Sequence, residues 1–191
     1  MRPPAAGLRP AVFLDRDGVL NEVRVRGGVP LPPEGLEDLE IVPDAALACQ
    51  ELRAAGFFLC VVTNQPDLAR GSQSQEVVDA IHARLTREVE VDDLRVCPHD
   101  DADRCGCRKP RPGLLLAAAA EHGLDLERSF MVGDRWRDVD AGHRAGCRAV
   151  LIDRGYREPR RAQPDAVVAT TLEAARWILA ARTPIGGLAR G

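Results

Sequence analysis

Residues 13–21 read FLDRDGVLN. The apolar run AVFL at 11–14 ends on Asp15, with Asp17 one residue further on and Gly18 directly after it. A short apolar run bounded by polar and turn residues is the pattern of a strand buried on both faces. In an open parallel α/β sheet, ligands bind beyond the carboxyl ends of the strands. Asp15 at such an end is therefore a candidate functional group. Strand alternation sends residues i and i+2 to one side, so Asp15 and Asp17 are expected to converge on one point while Arg16 points away. Gly18 leaves the backbone free to turn tightly against a ligand.

Two further apolar runs end in the same way. FFLCVVTN (57–64) delivers Thr63 and Asn64, and SFMVGD (129–134) delivers Asp134. Helical periodicity is expected over 43–56, 74–89, 113–123, 138–146 and 171–181. Short strands are expected at 94–96, 148–152 and 166–169. Strands alternating with helices imply βαβ units, and hence a three-layer, Rossmann-like α/β fold around a central parallel sheet. The 191 residues suit one domain spanning 1–191. The longest irregular piece, 21–42, is rich in Gly and Pro and is expected to form a loop over the site. The tail, 183–191, is expected to be flexible.

Composition narrows the partners. A net charge of −3 lacks the basic excess of a nucleic-acid-binding domain. Arg157, Arg160 and Arg161 are interrupted by Glu158 and read as a solvated loop. No stretch reaches the roughly 18 apolar residues of a membrane span, and the first residues lack the apolar core of a secretory signal. A cytoplasmic protein with reduced thiols is expected.

The polar residues at the strand ends suggest a chemistry. Two carboxylates forced together need a cation or a proton between them. Mg²⁺ suits oxygen ligands, and Asp134 can supply a third. Asp15 is then placed to attack phosphorus, and Asp17 to protonate the leaving oxygen and later activate water. CRKPRPG (107–113) brings Lys109 to the start of a helix, where its charge can meet phosphoryl oxygens alongside Thr63 and Asn64. Asp138 can orient Lys109 or the metal's waters, or cap its helix.

CPHDDADRCGC (97–107) packs three of the six cysteines, and one histidine, into eleven residues. Cys97, His99, Cys105 and Cys107 make a closed tetrahedral zinc set with no position left for water, so the zinc is expected to be structural. Cys49, Cys60 and Cys147 lie in apolar surroundings and read as buried thiols.

FLDRDGVLN, VVTNQ, CRKPRPG and MVGDRWRDVDAG, in this order, resemble the four motifs of the haloacid dehalogenase (HAD) superfamily of phosphatases. The resemblance implies the HAD fold without a large cap domain, the segments 21–42, 65–73 and 97–108 shaping the pocket instead. It implies Asp15 as nucleophile, Asp17 as general acid/base, and Thr63 and Lys109 as ligands of the transferring phosphoryl group. It also implies Mg²⁺ held by Asp15, Asp134 and the backbone carbonyl of Asp17. The cysteine loop with LDRDG and VTNQ is similar to the branch holding the heptose-bisphosphate and histidinol-phosphate phosphatases. The activity this implies is Mg²⁺-dependent removal of the C7 phosphate of a heptose 1,7-bisphosphate. Histidinol phosphate or another small sugar phosphate is the alternative substrate, and a non-catalytic phosphate-binding role is an alternative of a different class. Asn64, Arg108 and Arg135 are expected to touch substrate, Arg108 at a second anionic group. The expected partner is a small molecule and the expected assembly a monomer, with no nucleic acid and no membrane.

Overall fold

The computed structural model describes residues 8–158 and 162–182. In chain order the elements are β1 (Arg9–Leu14), β2 (Arg24–Arg26), β3 (Val29–Leu31), α1 (Ala45–Ala54), β4 (Phe58–Asn64), α2 (Pro66–Arg70), α3 (Gln75–Val89), β5 (Asp93–Cys97), α4 (Gly113–His122), β6 (Leu124–Gly133), α5 (Trp136–Ala145), β7 (Arg148–Ile152), β8 (Ala166–Val168) and α6 (Thr171–Ala181). Short 3₁₀ turns lie at Leu36–Asp38 and Asp101–Asp103. The expected tail at 183–191, and Arg160 and Arg161, lie outside the described residues.

Six strands form one sheet in the order β5-β4-β1-β6-β7-β8, and every pair in it is parallel. All carboxyl ends therefore open on the same edge. Alternation along β1 divides the core: Val12 and Leu14 pack with α1, α3 and α6 on one face. Ala11 and Phe13 pack with α4 and α5 on the other. The three-layer α/β architecture is the one the apolar runs imply. Leu52, Leu85 and Leu115 are at most 1% exposed, and burying each such side chain contributes about 1.5–3 kcal/mol.

Three elements differ from the sequence expectation. Segment 21–42 is not irregular throughout. β2 and β3 form an antiparallel hairpin across Gly27 and Gly28. Both glycines have positive φ, 64° and 85°, as a two-residue hairpin turn demands. α2 starts on Pro66, which is tolerated in a first helical turn. β6 begins at Leu124, five residues early, because Arg9 and Pro10 pair with Leu124 and Asp125 before the register shifts. No helix among the described residues is long and apolar enough to cross a membrane.

Candidate active site

The site gathers at the ends of β1, β4 and β6. Lys109, 1% exposed, is its hub. Its Nζ lies 2.8 Å from Asp15 Oδ1 and 2.6 Å from Asp138 Oδ1, and donates to the Val62 carbonyl at 2.8 Å. All three ammonium protons are thus used. Asn64 fixes the backbone beneath it, accepting from Lys109 N and donating to Lys109 O, both at 3.1 Å. Asn64 therefore commits both its polar atoms to positioning Lys109, although its side chain also lines the cleft. Asp138 serves both purposes that its spacing left open. Oδ1 holds Lys109, while Oδ2 accepts from Arg135 N at 3.1 Å at the start of α5.

Asp15 Oδ1 takes a second hydrogen bond, from Arg16 N at 2.7 Å. Both described contacts of Asp15 fall on Oδ1. Burial pushes the Asp15 carboxyl up to about 7; Asp138 and Asp17 add to the rise and Lys109 opposes it. Burial, then the charges of Asp15 and Asp138, raise Asp134 well above the carboxylate range. Burial alone would lower Lys109, but Asp138 and Asp15 override it and hold the ammonium charged.

Arg16 does not point away. It is fully buried and turns back onto Asp17, with Nη2 at 2.9 and 3.0 Å from the two carboxylate oxygens and Nε at 3.1 Å from Oδ1. Its Nη1 meets His82 Nε2 at 3.0 Å. Alternation fixes where a Cβ starts, and a long guanidinium stem is free to bend from there. Asn21 and Gln65 also donate to Asp17, at 3.0 and 2.9 Å. Burial favours a raised Asp17, but the Arg16 charge and these hydrogen bonds win and lower it. The carboxylate that joins Asp15 and Asp134 is consequently that of Asp138, with one oxygen of each within 4.8 Å of the others. Asp17 is held beside this cluster and not inside it. Thr63 is fully buried, and its hydroxyl accepts from Gln65 Nε2 at 2.8 Å.

Asp134 shows how a divalent ion fits. Its Oδ2 accepts from Tyr156 at 2.8 Å, whereas Oδ1 is buried with no hydrogen-bond partner. A buried carboxylate oxygen without a partner, among carboxyls that burial and mutual repulsion push up, calls for a cation. Gly18 makes the close approach possible. Its φ is +78°, and a Cβ there would lie 1.8 Å from Asp134 Oδ2. Asp15 and Asp134 bring carboxylate oxygens within reach of one ion.

The cysteine loop closes on itself. Sulfur–sulfur distances among Cys97, Cys105 and Cys107 are 3.1–3.6 Å. His99 Nδ1 lies 3.6 Å from Cys97 Sγ and 3.3 Å from Cys107 Sγ. A tetrahedral zinc with bonds of about 2.3 Å sets its sulfur ligands roughly 3.7 Å apart, so the four ligands fit that ion with slight expansion. The loop hands on directly to Arg108 and Lys109. Arg108 pairs with Asp101 at 2.8 Å and donates to His99 O at 3.1 Å.

A cavity of about 370 Å³ opens above Asp15, lined also by Asp17, Asn64, Arg108, Lys109 and Arg135. Arg135 is ion-paired with Glu158. Four contributors carried no assigned role in the sequence: Arg16, Gln65, Arg137 and Tyr156. Gln65 lay within the VVTNQ motif. Tyr156 follows β7, so the strand-end rule applied to one more strand points to its segment.

A HAD-hydrolase-like family model matches residues 106–175. A D-glycero-D-manno-heptose-1,7-bisphosphate 7-phosphatase of Thermosynechococcus vestitus is 37% identical over 193 residues, covering 89% of this chain and 95% of that one. The chain belongs to the heptose-bisphosphate phosphatase family of the HAD superfamily. A D-glycero-beta-D-manno-heptose-1,7-bisphosphate 7-phosphatase of Rhodopseudomonas palustris is 40% identical over 154 residues, covering 74% of this chain and 82% of that one. Among solved structures, the D,D-heptose 1,7-bisphosphate phosphatase of B. bronchiseptica, complexed with magnesium and phosphate, superposes with a TM-score of 0.76. It is 28% identical and the match covers 90% of this chain and 98% of that one.

Proposed function

We propose that the chain is a Mg²⁺-dependent phosphomonoesterase that removes the C7 phosphate of D-glycero-D-manno-heptose 1,7-bisphosphate. The substrate follows the names of its relatives. The chemistry rests on one observation: Lys109 and the Arg16 amide both bind Asp15 Oδ1. The second oxygen, Oδ2, has no described protein partner and is available to a phosphorus atom in the cleft.

Asp15 Oδ2 attacks the C7 phosphorus as the phosphorus–oxygen bond to the sugar breaks, which leaves an aspartyl phosphate. Lys109 meets the charge on the phosphoryl oxygens, oriented by Asp138 and by the Asn64 clamp, and the Thr63 hydroxyl supplies a hydrogen-bond donor. Asp17 gives its proton to the departing sugar oxygen. Arg16 keeps that carboxyl low in the structure described, and a phosphate dianion bound beside it drives it back up by like-charge repulsion. Asp17 then takes a proton from water, whose oxygen attacks phosphorus and restores free Asp15 with release of inorganic phosphate. Asp15, Asp134 and the Asp17 carbonyl would hold Mg²⁺, which would screen the carboxylates and polarise the phosphoryl group. Cys97, His99, Cys105 and Cys107 would hold zinc, which would fix the loop that carries Arg108 and Lys109.

A rapid acid quench after mixing excess enzyme with substrate radiolabelled at the C7 phosphate tests this reading. Label is expected on the peptide that contains Asp15, and the Asp15→Asn variant is expected neither to turn over nor to retain label. Turnover by Asp15→Asn at a rate near that of the parent would remove the mechanism.

A further inference from the structure

The proposed substrate carries two phosphates, and the chemistry above uses one. Arg108 and Arg137 also line the cleft. They come from separate elements, Arg108 from the end of the cysteine loop and Arg137 from the first turn of α5. They nevertheless meet on one carboxylate. Arg108 Nε donates to Asp101 Oδ1 at 2.8 Å. Arg137 Nη1 donates to the same oxygen at 3.1 Å and its Nη2 to Oδ2 at 3.3 Å. Each guanidinium also rests on a backbone carbonyl of the site: Arg108 on His99 at 3.1 Å, and Arg137 on Lys109 at 3.5 Å.

The charge balance separates this pair from the other cations of the cleft. Arg70 is held bidentately by Asp100, at 2.7 and 2.9 Å. Arg135 has Glu158. Arg108 and Arg137 share Asp101, with Asp100 3.8 Å from Arg108 and already engaged by Arg70. The Arg108 and Arg137 side chains are 11% and 28% exposed, whereas the Asp101 side chain is 60% exposed. Two braced cations thus meet at one exposed monoanion. A phosphate dianion presents more acceptor oxygens and more charge to the same forks.

We propose that Arg137 completes the second-phosphate subsite expected at Arg108, and that Asp101 occupies this subsite until the phosphate displaces it. The inference rests on the bisphosphate reading above and assigns Arg137 and Asp101 a part in substrate choice. Asp101 can be removed without unmaking its turn. The turn is capped by Asp100 accepting from Asp101 N and by Asp103 accepting from Asp100 N, each at 2.7 Å.

The test compares kcat/KM for heptose 1,7-bisphosphate with that for heptose 7-phosphate, which lacks the second phosphate. The ratio cancels any general loss of folding or chemistry. Arg137→Gln is expected to reduce the preference for the bisphosphate at least about tenfold, or roughly 1.4 kcal/mol. Arg137→Lys should retain an intermediate preference, as a point charge without the fork. Asp101→Ala is expected to lower KM for the bisphosphate, since the competing carboxylate is gone. If Asp101 instead braces the arginines for substrate, KM stays the same or rises, and the displacement is overturned. If the parent prefers the bisphosphate and Arg137→Gln keeps that preference intact, the Arg137 subsite is overturned alone. If the parent shows no preference, the subsite and the bisphosphate reading fall together.

Discussion

Replacing Lys109 with Met keeps the length of the side chain and removes its charge. The ammonium neutralises two buried carboxylates, at 2.8 and 2.6 Å, and satisfies the Val62 carbonyl at 2.8 Å. Breaking a buried ion pair by deleting one partner destabilises by about 3–5 kcal/mol, because the other charge stays buried and unpaired. Here the loss has a ceiling. Asp15 already sits at about 7 with Lys109 in place, so without it the carboxyl escapes the penalty by taking up a proton at neutral pH. The lower end, about 3 kcal/mol, is therefore expected. Domains of this kind hold roughly 5–15 kcal/mol, so the variant remains folded in benign buffer. In urea without Mg²⁺, the midpoint should move by about 1–2 M at an m-value near 2 kcal/mol/M, with the slope unchanged. Turnover should fall at least about a hundredfold, since the fixed positive charge beside the phosphoryl oxygens is gone. Lys109→Arg should not restore it, because a planar fork cannot reach three acceptors arranged around one nitrogen. A Lys109→Met protein within about 1 kcal/mol of the parent stability would refute the idea that this lysine balances the buried carboxylates.

Three other perturbations probe other parts of the site. Cys105→Ala should lose bound zinc and melt at lower temperature, with chemistry declining only afterwards; one equivalent of zinc retained, measured by elemental analysis, would contradict the ligand set. Tyr156→Phe removes the hydrogen bond to Asp134 Oδ2 and should raise the half-saturating Mg²⁺ concentration about fivefold, for a hydrogen bond worth about 1 kcal/mol; an unchanged Mg²⁺ titration would show that Asp134 needs no such support. His82 is lowered from 6.5 to about 4, mainly by burial, with the Arg16 charge adding to it. Its folded pKa lies below the unfolded one, so its contribution to stability is present above about pH 6.5 and lost as pH falls towards 4. His82→Gln should therefore lose stability less steeply than the parent across that window, and parallel urea-midpoint profiles would show that His82 is not the titrating group.

The sheet was legible because its strands are continuous apolar runs that end on polar residues. AVFL, CVVT and FMVG place Asp15, Thr63 and Asp134 on one edge by the strand-end rule alone, and α6 begins and ends where its periodicity does. The hairpin within 21–42 was not legible. Its strands are three residues long and carry exposed side chains such as Val25 and Val29, so no buried face imprints a pattern. Arg16 was misjudged because alternation specifies a Cβ direction, while the position of a long side chain is decided by what it can pair with. Here that is Asp17 and His82. Arg137 stood inside a recognised motif, yet its role depends on Asp101, 36 residues away, and spacing carries no such information. The cysteine cluster could be read because metal geometry restricts local spacing directly.

The central claim concerns the substrate, and steady-state kinetics with Mg²⁺ test it most directly. Each anomer of heptose 1,7-bisphosphate should be assayed beside histidinol phosphate. The account predicts that one bisphosphate anomer is preferred over histidinol phosphate by about a hundredfold or more in kcat/KM, or roughly 2.7 kcal/mol of differential transition-state binding. Equal or better turnover of histidinol phosphate would contradict it, because the cleft would then be selecting a cationic imidazole in the presence of Arg108 and Arg137.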